Sequence, residues 1–214
     1  MIIPAYASAL DVVLSDGLND VVTIDNTILH INCKKVTSDK FIDSTIKEIQ
    51  FFNSSYKPLT IKNNLSKIVL CKKLSINGKK WFRGTYNLNK KIIYLELSNL
   101  QDAEYALHHE FSSILLKNSK KLSNIKLNWI KYNNKPYVNY WTQKSKSMWN
   151  SKNKKLRSNG FLYPYCKTNF ENDFNVISAF YKSSYLKSTI DKASKKYRLI
   201  NKKYNIVKNF YEGL

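Results

Sequence analysis

Ala103, Leu107, Phe111, Ile114 and Leu115 recur at helical spacing in a segment that begins near Asp102. This stripe constrains the chain most, because an amphipathic helix of that length must bury one whole face against other elements. Acidic Asp102 and Glu104 stand at its positive end and Lys117 near its negative end, the arrangement a helix dipole favours. The segments before it are short and strand-like. Residues 67–74 (KIVLCKKL) read as an apolar strand, 76–87 (INGKKWFRGTYN) as a turn into a second strand, and 90–100 (KKIIYLELSNL) as a third. Successive strands meeting a buried helix predict an α+β chain, with a small mixed or antiparallel sheet packed on that helix.

The flanks follow from the same reasoning. Residues 20–32 (DVVTIDNTILHIN) alternate apolar and polar as a strand or a hairpin around Asp25-Asn26, with His30 as a satisfied structural histidine. In 37–55, capping residues precede Phe41, Ile42, Ile46, Ile49 and Phe52 at helical spacing, which predicts the first long helix. From 119 to 159 the chain is rich in Lys, Asn and Ser, with Trp129, Trp141 and Trp149 interspersed, and reads as an irregular excursion with one or two weak helices. Residues 160–186 are a loop and then a helix with Phe174, Ile177, Phe180 and Tyr181 inward, and 187–214 a basic amphipathic helix or pair of helices. The first 33 residues contain four Asp and no Lys or Arg, so the division expected is an acidic N-terminal segment, 1–33, before a single domain, 34–214, that ends in a helical tail.

Charge narrows the partners. Lys and Arg number 36 against 15 Asp and Glu, a net +21, which points to anionic surfaces. Only Arg83, Arg157 and Arg198 are arginine, the residue suited to bidentate reading of phosphates and bases. The aromatic side chains that could stack bases fall mostly at core positions. A lysine-coated solvated surface, open to nonspecific anionic contacts, is therefore the expectation, and no specific nucleic acid is expected. Cys33, Cys71 and Cys166 include no CxxC pair, so neither a zinc ribbon nor a disulfide framework is indicated, and at most one bridge can form within the chain. No stretch approaches the roughly 20 apolar residues of a membrane span. The N-terminal MIIPAYASALDVVL lacks the basic start of a secretory signal, although AYASA resembles the small-residue end of one.

Two of the three histidines sit together on the central helix, in HHEFSS at 108–113. In HExxH zinc peptidases two histidines four positions apart lie on one side of a helix and reach one metal, and the glutamate between them polarises a metal-bound water. His109 and Glu110 fit the first two places, but the position four after His109 is Ser113, a poor zinc ligand. His108 points about 100° away from His109 around the helix. Read from the residues alone, His108 and His109 are a half-buried pair bonded to Glu104, Ser112 or Ser113.

Three stretches together, GTYNLNKKIIYLELSNL, ALHHEFSSILLKN and GFLYPYCKTNFENDFNVISAFY, resemble the zincin-like zinc-binding metallopeptidases of secreted bacterial lipoproteins, over roughly residues 40–186. The resemblance implies a zincin-like domain whose first stretch holds the edge strand, taken as 91–97, and a secreted or cell-surface location. It implies zinc as cofactor and a peptide or protein as substrate or partner. His109 then becomes the first ligand, with His108 as a substitute partner, Glu110 the general base and Tyr165 the oxyanion partner, while the third ligand falls at Glu171, Asn172 or Asp173. Ser113, and Asn172 in the register that keeps Phe174 in place, depart from the pattern. Two functions are implied: peptide-bond hydrolysis if a metal binds, or an inactive pseudo-peptidase that serves as a binding scaffold.

Overall fold

The computed structural model describes residues 10–24, 27–37, 42–79, 83–97, 100–138 and 153–214. The turn at Asp25-Asn26, Phe41, Trp141, Trp149 and the side chain of Asp102 lie outside what is described. Two compact units divide the chain, Met1–Leu115 and Leu116–Leu214.

The first unit holds two small sheets. Strand β1 (Asp11–Leu14) runs parallel to β4 (Lys67–Cys71), β4 parallel to β7 (Ile92–Glu96), and β6 (Gly84–Asn87) antiparallel to β7, giving the order β1-β4-β7-β6. The second sheet is antiparallel, in the order β2 (Leu18–Ile24), β3 (Thr27–Cys33), β5 (Leu74–Ile76). The alternation in residues 20–32 produces the expected hairpin, with Ile24 paired to Thr27. His30 faces solvent on that hairpin rather than packing as a structural histidine. Ile68, Val69, Leu70 and Cys71 of β4 are all buried, as befits a strand with parallel neighbours on both sides.

One expectation is corrected here. The segment read as the edge strand, 91–97, contains β7, which lies between β4 and β6; the edge is β6, the GTYN stretch just before it.

The two sheets meet in an apolar cluster of Val22, Ile31, Cys33, Val69, Cys71, Leu74 and Tyr94, and a disulfide joins Cys33 of β3 to Cys71 of β4 inside it. At its rim Asp20 ties the hairpin to the other sheet. Its carboxylate accepts hydrogen bonds from the Tyr94 hydroxyl (2.5 Å), the Asn87 amide (3.0 Å) and the Lys90 ammonium (2.6 Å). Burial by itself would raise the Asp20 pKa, but these donors and the Val21 amide outweigh it and hold the group at about 2. A carboxyl held below its ordinary value contributes stability that is present above the unfolded-state pKa and is lost as pH falls through the folded one. Asp20→Asn is therefore expected to cost about 1 kcal/mol at neutral pH, after allowance for solvent screening at the rim, and to remove that part of the acid sensitivity. Urea unfolding of both proteins between neutral pH and pH ~2 checks this, the gap between them closing as Asp20 protonates.

Helices α1 (Ile42–Ser54) and α2 (Pro58–Asn64) precede β4, and α3 (Leu100–Asn118) follows β7. The stripe Ala103, Leu107, Phe111, Ile114 and Leu115 is buried, as its spacing requires. Glu48 of α1 accepts the Glu104 amide at 2.7 Å, satisfying an N–H in the early part of α3.

The second unit is helical in its described residues: α4 (Leu122–Ile130), α5 (Lys154–Ser158), a 3-10 turn at Pro164–Lys167, α6 (Phe170–Lys182), α7 (Lys187–Lys196) and α8 (Arg198–Glu212). Asn169 caps α6 by accepting the Asn172 amide at 2.7 Å. At the centre of the unit Asp173 and Lys203 form an ion pair at 2.6 Å with both side chains fully buried.

Candidate functional site

The helical geometry of α3 decides where its polar residues point. His108 turns toward α1. Its Nδ1 lies 2.9 Å from the Tyr56 hydroxyl, its ring packs on Phe52 and Tyr56, and Glu104 one turn earlier is 3.8 Å from Nε2. It is fully buried in an aromatic nest. His109, one residue on, is rotated away. It is 7% exposed, sits 5.6 Å from the Tyr105 ring, and places Nδ1 3.2 Å from Oε1 of Glu110. One turn further on stands Ser113, 1% exposed.

Glu110 lies beside the edge strand. A β-carbon added at Gly84 of β6 would come within 3.0 Å of the Glu110 Cγ and 3.5 Å of the Ala106 Cβ. The glycine is what lets strand and helix approach so closely, and an isolated glycine in a strand is the sequence signal of such an approach. The Glu96 amide donates to the Arg83 carbonyl, so antiparallel alternation turns the Gly84 backbone away from β7, to the side on which β6 pairs with no strand among the described residues. Gly84 is half-buried there, and Thr85, Tyr86 and Asn87 after it are buried. The first unit thus presents a carboxylate with an adjacent imidazole next to a strand edge.

The other residues of interest belong to the second unit. Tyr165 is in the 3-10 turn, half-buried, with its carbonyl accepting from the Thr168 hydroxyl at 2.8 Å. Glu171 is 3.1 Å from the Lys117 ammonium. Asn172 uses its side-chain amide to donate to the Thr168 hydroxyl at 2.8 Å. Asp173 is committed more heavily: one oxygen, Oδ2, accepts from Lys203, from Trp129 Nε1 (2.8 Å) and from the Tyr137 hydroxyl (3.1 Å). Burial pushes the Asp173 carboxyl above its ordinary value, and Lys203 and the two aromatic donors offset only part of that. Cys166 is buried nearby, its thiol pushed up by burial and by the Asp173 charge, which makes it an unreactive thiol.

Catalytic zinc takes three protein ligands and leaves a fourth position for water. Among the described residues no group of three His, Cys, Asp or Glu side chains is placed to hold a metal ion. The chemistry of the side chains explains this: Ser113 stands one turn after His109, His108 is held by Tyr56, Glu171 is paired with Lys117, and Asp173 is held by Lys203. These residues do not fit a zinc centre of the usual composition.

No family model matches the chain, and no curated protein does. Among solved structures the chain is similar to the crystal structure of a "putative zinc-binding metallo-peptidase" from Bacteroides caccae. The TM-score is 0.53 and the identity 18%, over 82% of this chain and 71% of that one. At that identity the likeness is one of fold. The chain has a mixed α/β, metallopeptidase-like fold with small sheets.

Proposed function

We propose that this chain is a metallopeptidase-like scaffold that captures a peptide in extended form at the Arg83–Gly84 end of β6, where the strand is not buried, and does not cleave it. The observation that carries the reading is the approach of Glu110 to Gly84, the member of the edge strand β6 that is not buried. An extended peptide adds to such an edge through main-chain hydrogen bonds, and the side chains beside the edge select what is accepted. A carboxylate 3.2 Å from an imidazole gives that edge a polar wall on which a peptide amide can donate. The side chains that would complete a metal set around His109 are committed elsewhere, so no hydrolytic step is assigned. A shared fold does not carry chemistry with it.

The test uses the full chain and a fluorescein-labelled pool of random decapeptides, with anisotropy to read binding and mass spectrometry to read integrity. The peptides are expected to bind and stay intact. Gly84→Val should weaken binding by about tenfold or more, because its branched β-carbon crowds Glu110 and the strand edge. Cleavage that disappears in Glu110→Gln would overturn the scaffold reading in favour of a working peptidase.

A further inference from the structure

The net charge of +21 is not shared between the two units. Residues 116–214 carry 22 Lys and Arg against four Asp and Glu, a net +18, which leaves +3 for residues 1–115. Apart from Lys203, which is buried on Asp173, burial sorts by charge on the last two helices. Helix α8 buries Ile200, Val207 and Tyr211 and exposes Arg198, Lys202 and Lys208, while α7 buries Ile190 and Ala193 and exposes Lys192, Lys195 and Lys196.

Of the four carboxylates of this unit, Glu212 alone meets the exposed row, at Lys208, and the other three lie against other partners. Asp173 is buried on Lys203, Glu171 faces Lys117, Asp191 accepts from the Tyr204 hydroxyl at 2.8 Å and lies 3.4 Å from Lys187, and Glu212 is 3.8 Å from Lys208. The exposed cations are almost all lysine, a compact hydrated charge suited to a diffuse array of phosphates rather than to bidentate reading of bases. Lysine ammoniums lie over tyrosine rings beside these helices, Lys196 over Tyr197, which joins α7 to α8, at 5.8 Å and Lys187 over Tyr181 of α6 at 5.0 Å. Tyrosine, with an apolar body and a polar tip, is a residue of wet apolar boundaries.

The choice between lipid and nucleic acid as the source of phosphate follows from the Cys33–Cys71 disulfide. Such bonds persist in oxidising compartments and are rare in the cytosol and nucleus, where nucleic acid is concentrated, which favours membrane headgroups over nucleic acid as the source of phosphate. No helix of the described residues is long and apolar enough to cross one, so the contact is made at the headgroups. We infer that the exposed lysine face of α7 and α8 docks this protein onto an anionic phospholipid surface. The inference is independent of the peptide-capture reading.

The test floats the full-length chain with phosphatidylcholine vesicles that contain or lack phosphatidylglycerol, at low and high salt. The chain should rise with the anionic vesicles, stay behind with the neutral ones, and be released by salt as surface charges are screened. A triple variant, Lys192→Glu, Lys195→Glu and Lys196→Glu, should weaken binding by about tenfold or more, given the strength of attraction of each basic residue to an anionic leaflet. A matched triple in the first unit, Lys34→Glu, Lys35→Glu and Lys62→Glu, should weaken it far less. Equal loss in the two triples, equal binding to neutral vesicles, or displacement of the wild-type chain from anionic vesicles by a single-stranded oligonucleotide at matched phosphate concentration would each overturn the proposal. The oligonucleotide competition needs only the wild-type chain, so it decides the matter even if a triple variant misfolds.

Discussion

Lys203→Met is expected to lower the stability of the second unit by about 3–5 kcal/mol, a large share of what a domain of this size possesses. Lys203 is fully buried, donates to Asp173 Oδ2 at 2.6 Å and to the Gly160 carbonyl at 2.5 Å, and lies 4.6 Å from the centre of the Phe161 ring. The loss of the ammonium strands a carboxylate that burial already disfavours, along with a carbonyl aimed at nothing. Gly160 is part of the device. Its φ of +89° is open to glycine, and a side chain there would run into the Tyr132 carbonyl. The double variant Asp173→Leu/Lys203→Met should recover part of the loss, because replacing both members of a buried pair by apolar groups is far less costly than removing one. Urea unfolding followed by far-UV circular dichroism measures four proteins: the wild type, the single variants Asp173→Leu and Lys203→Met, and the double variant. Simple additivity of the two single losses would contradict the pairing.

Reduction of the Cys33–Cys71 bond is the second large effect. The bridge closes a separation of 38 residues, and the chain-entropy relation assigns a loop of that length about 4 kcal/mol. Because Cys33 and Cys71 are both fully enclosed in the cluster where the two sheets meet, the Cys33→Ala/Cys71→Ala variant also leaves small gaps there. The urea midpoint of the oxidised chain should therefore lie well above those of the reduced chain and of the variant. Thiol titration under denaturing conditions should find one free thiol, Cys166, in the oxidised protein. Three free thiols with an unchanged midpoint would show that the bond does not form.

How much of this could be read from the chain follows from the range of each interaction. The α3 stripe and the 20–32 hairpin were legible because both rest on periodicity within one segment. The edge strand was misplaced because a short apolar run reads the same with one neighbour or two, and the order β1-β4-β7-β6 depends on β1 joining β4 across more than fifty residues. The Cys33–Cys71 pairing is equally nonlocal. With three cysteines and no diagnostic spacing, nothing singled it out. Tyr56, the partner of His108, lies 52 residues away, so no local pattern announced it. Lys203 left a trace that was there to be read: it falls on the buried stripe of α8 between Ile200 and Val207, where a lysine without a partner would not be tolerated. Gly84 left another, a lone glycine opening a strand. Of the site itself, the α3 residues were legible from the HHEFSS motif, while the commitment of Glu171 and Asp173 to lysines was not, because each carboxylate looks like a free ligand until its partner is seen.

The peptide-capturing edge proposed for this metallopeptidase-like fold works without a catalytic metal. The most direct measurement of this is the zinc content of the purified full-length chain, taken by plasma emission after dialysis against zinc-containing and then zinc-free buffer. Zinc is expected well below one equivalent per chain, with His109→Ala indistinguishable from the wild type. One zinc retained per chain, and lost in His109→Ala, would contradict it.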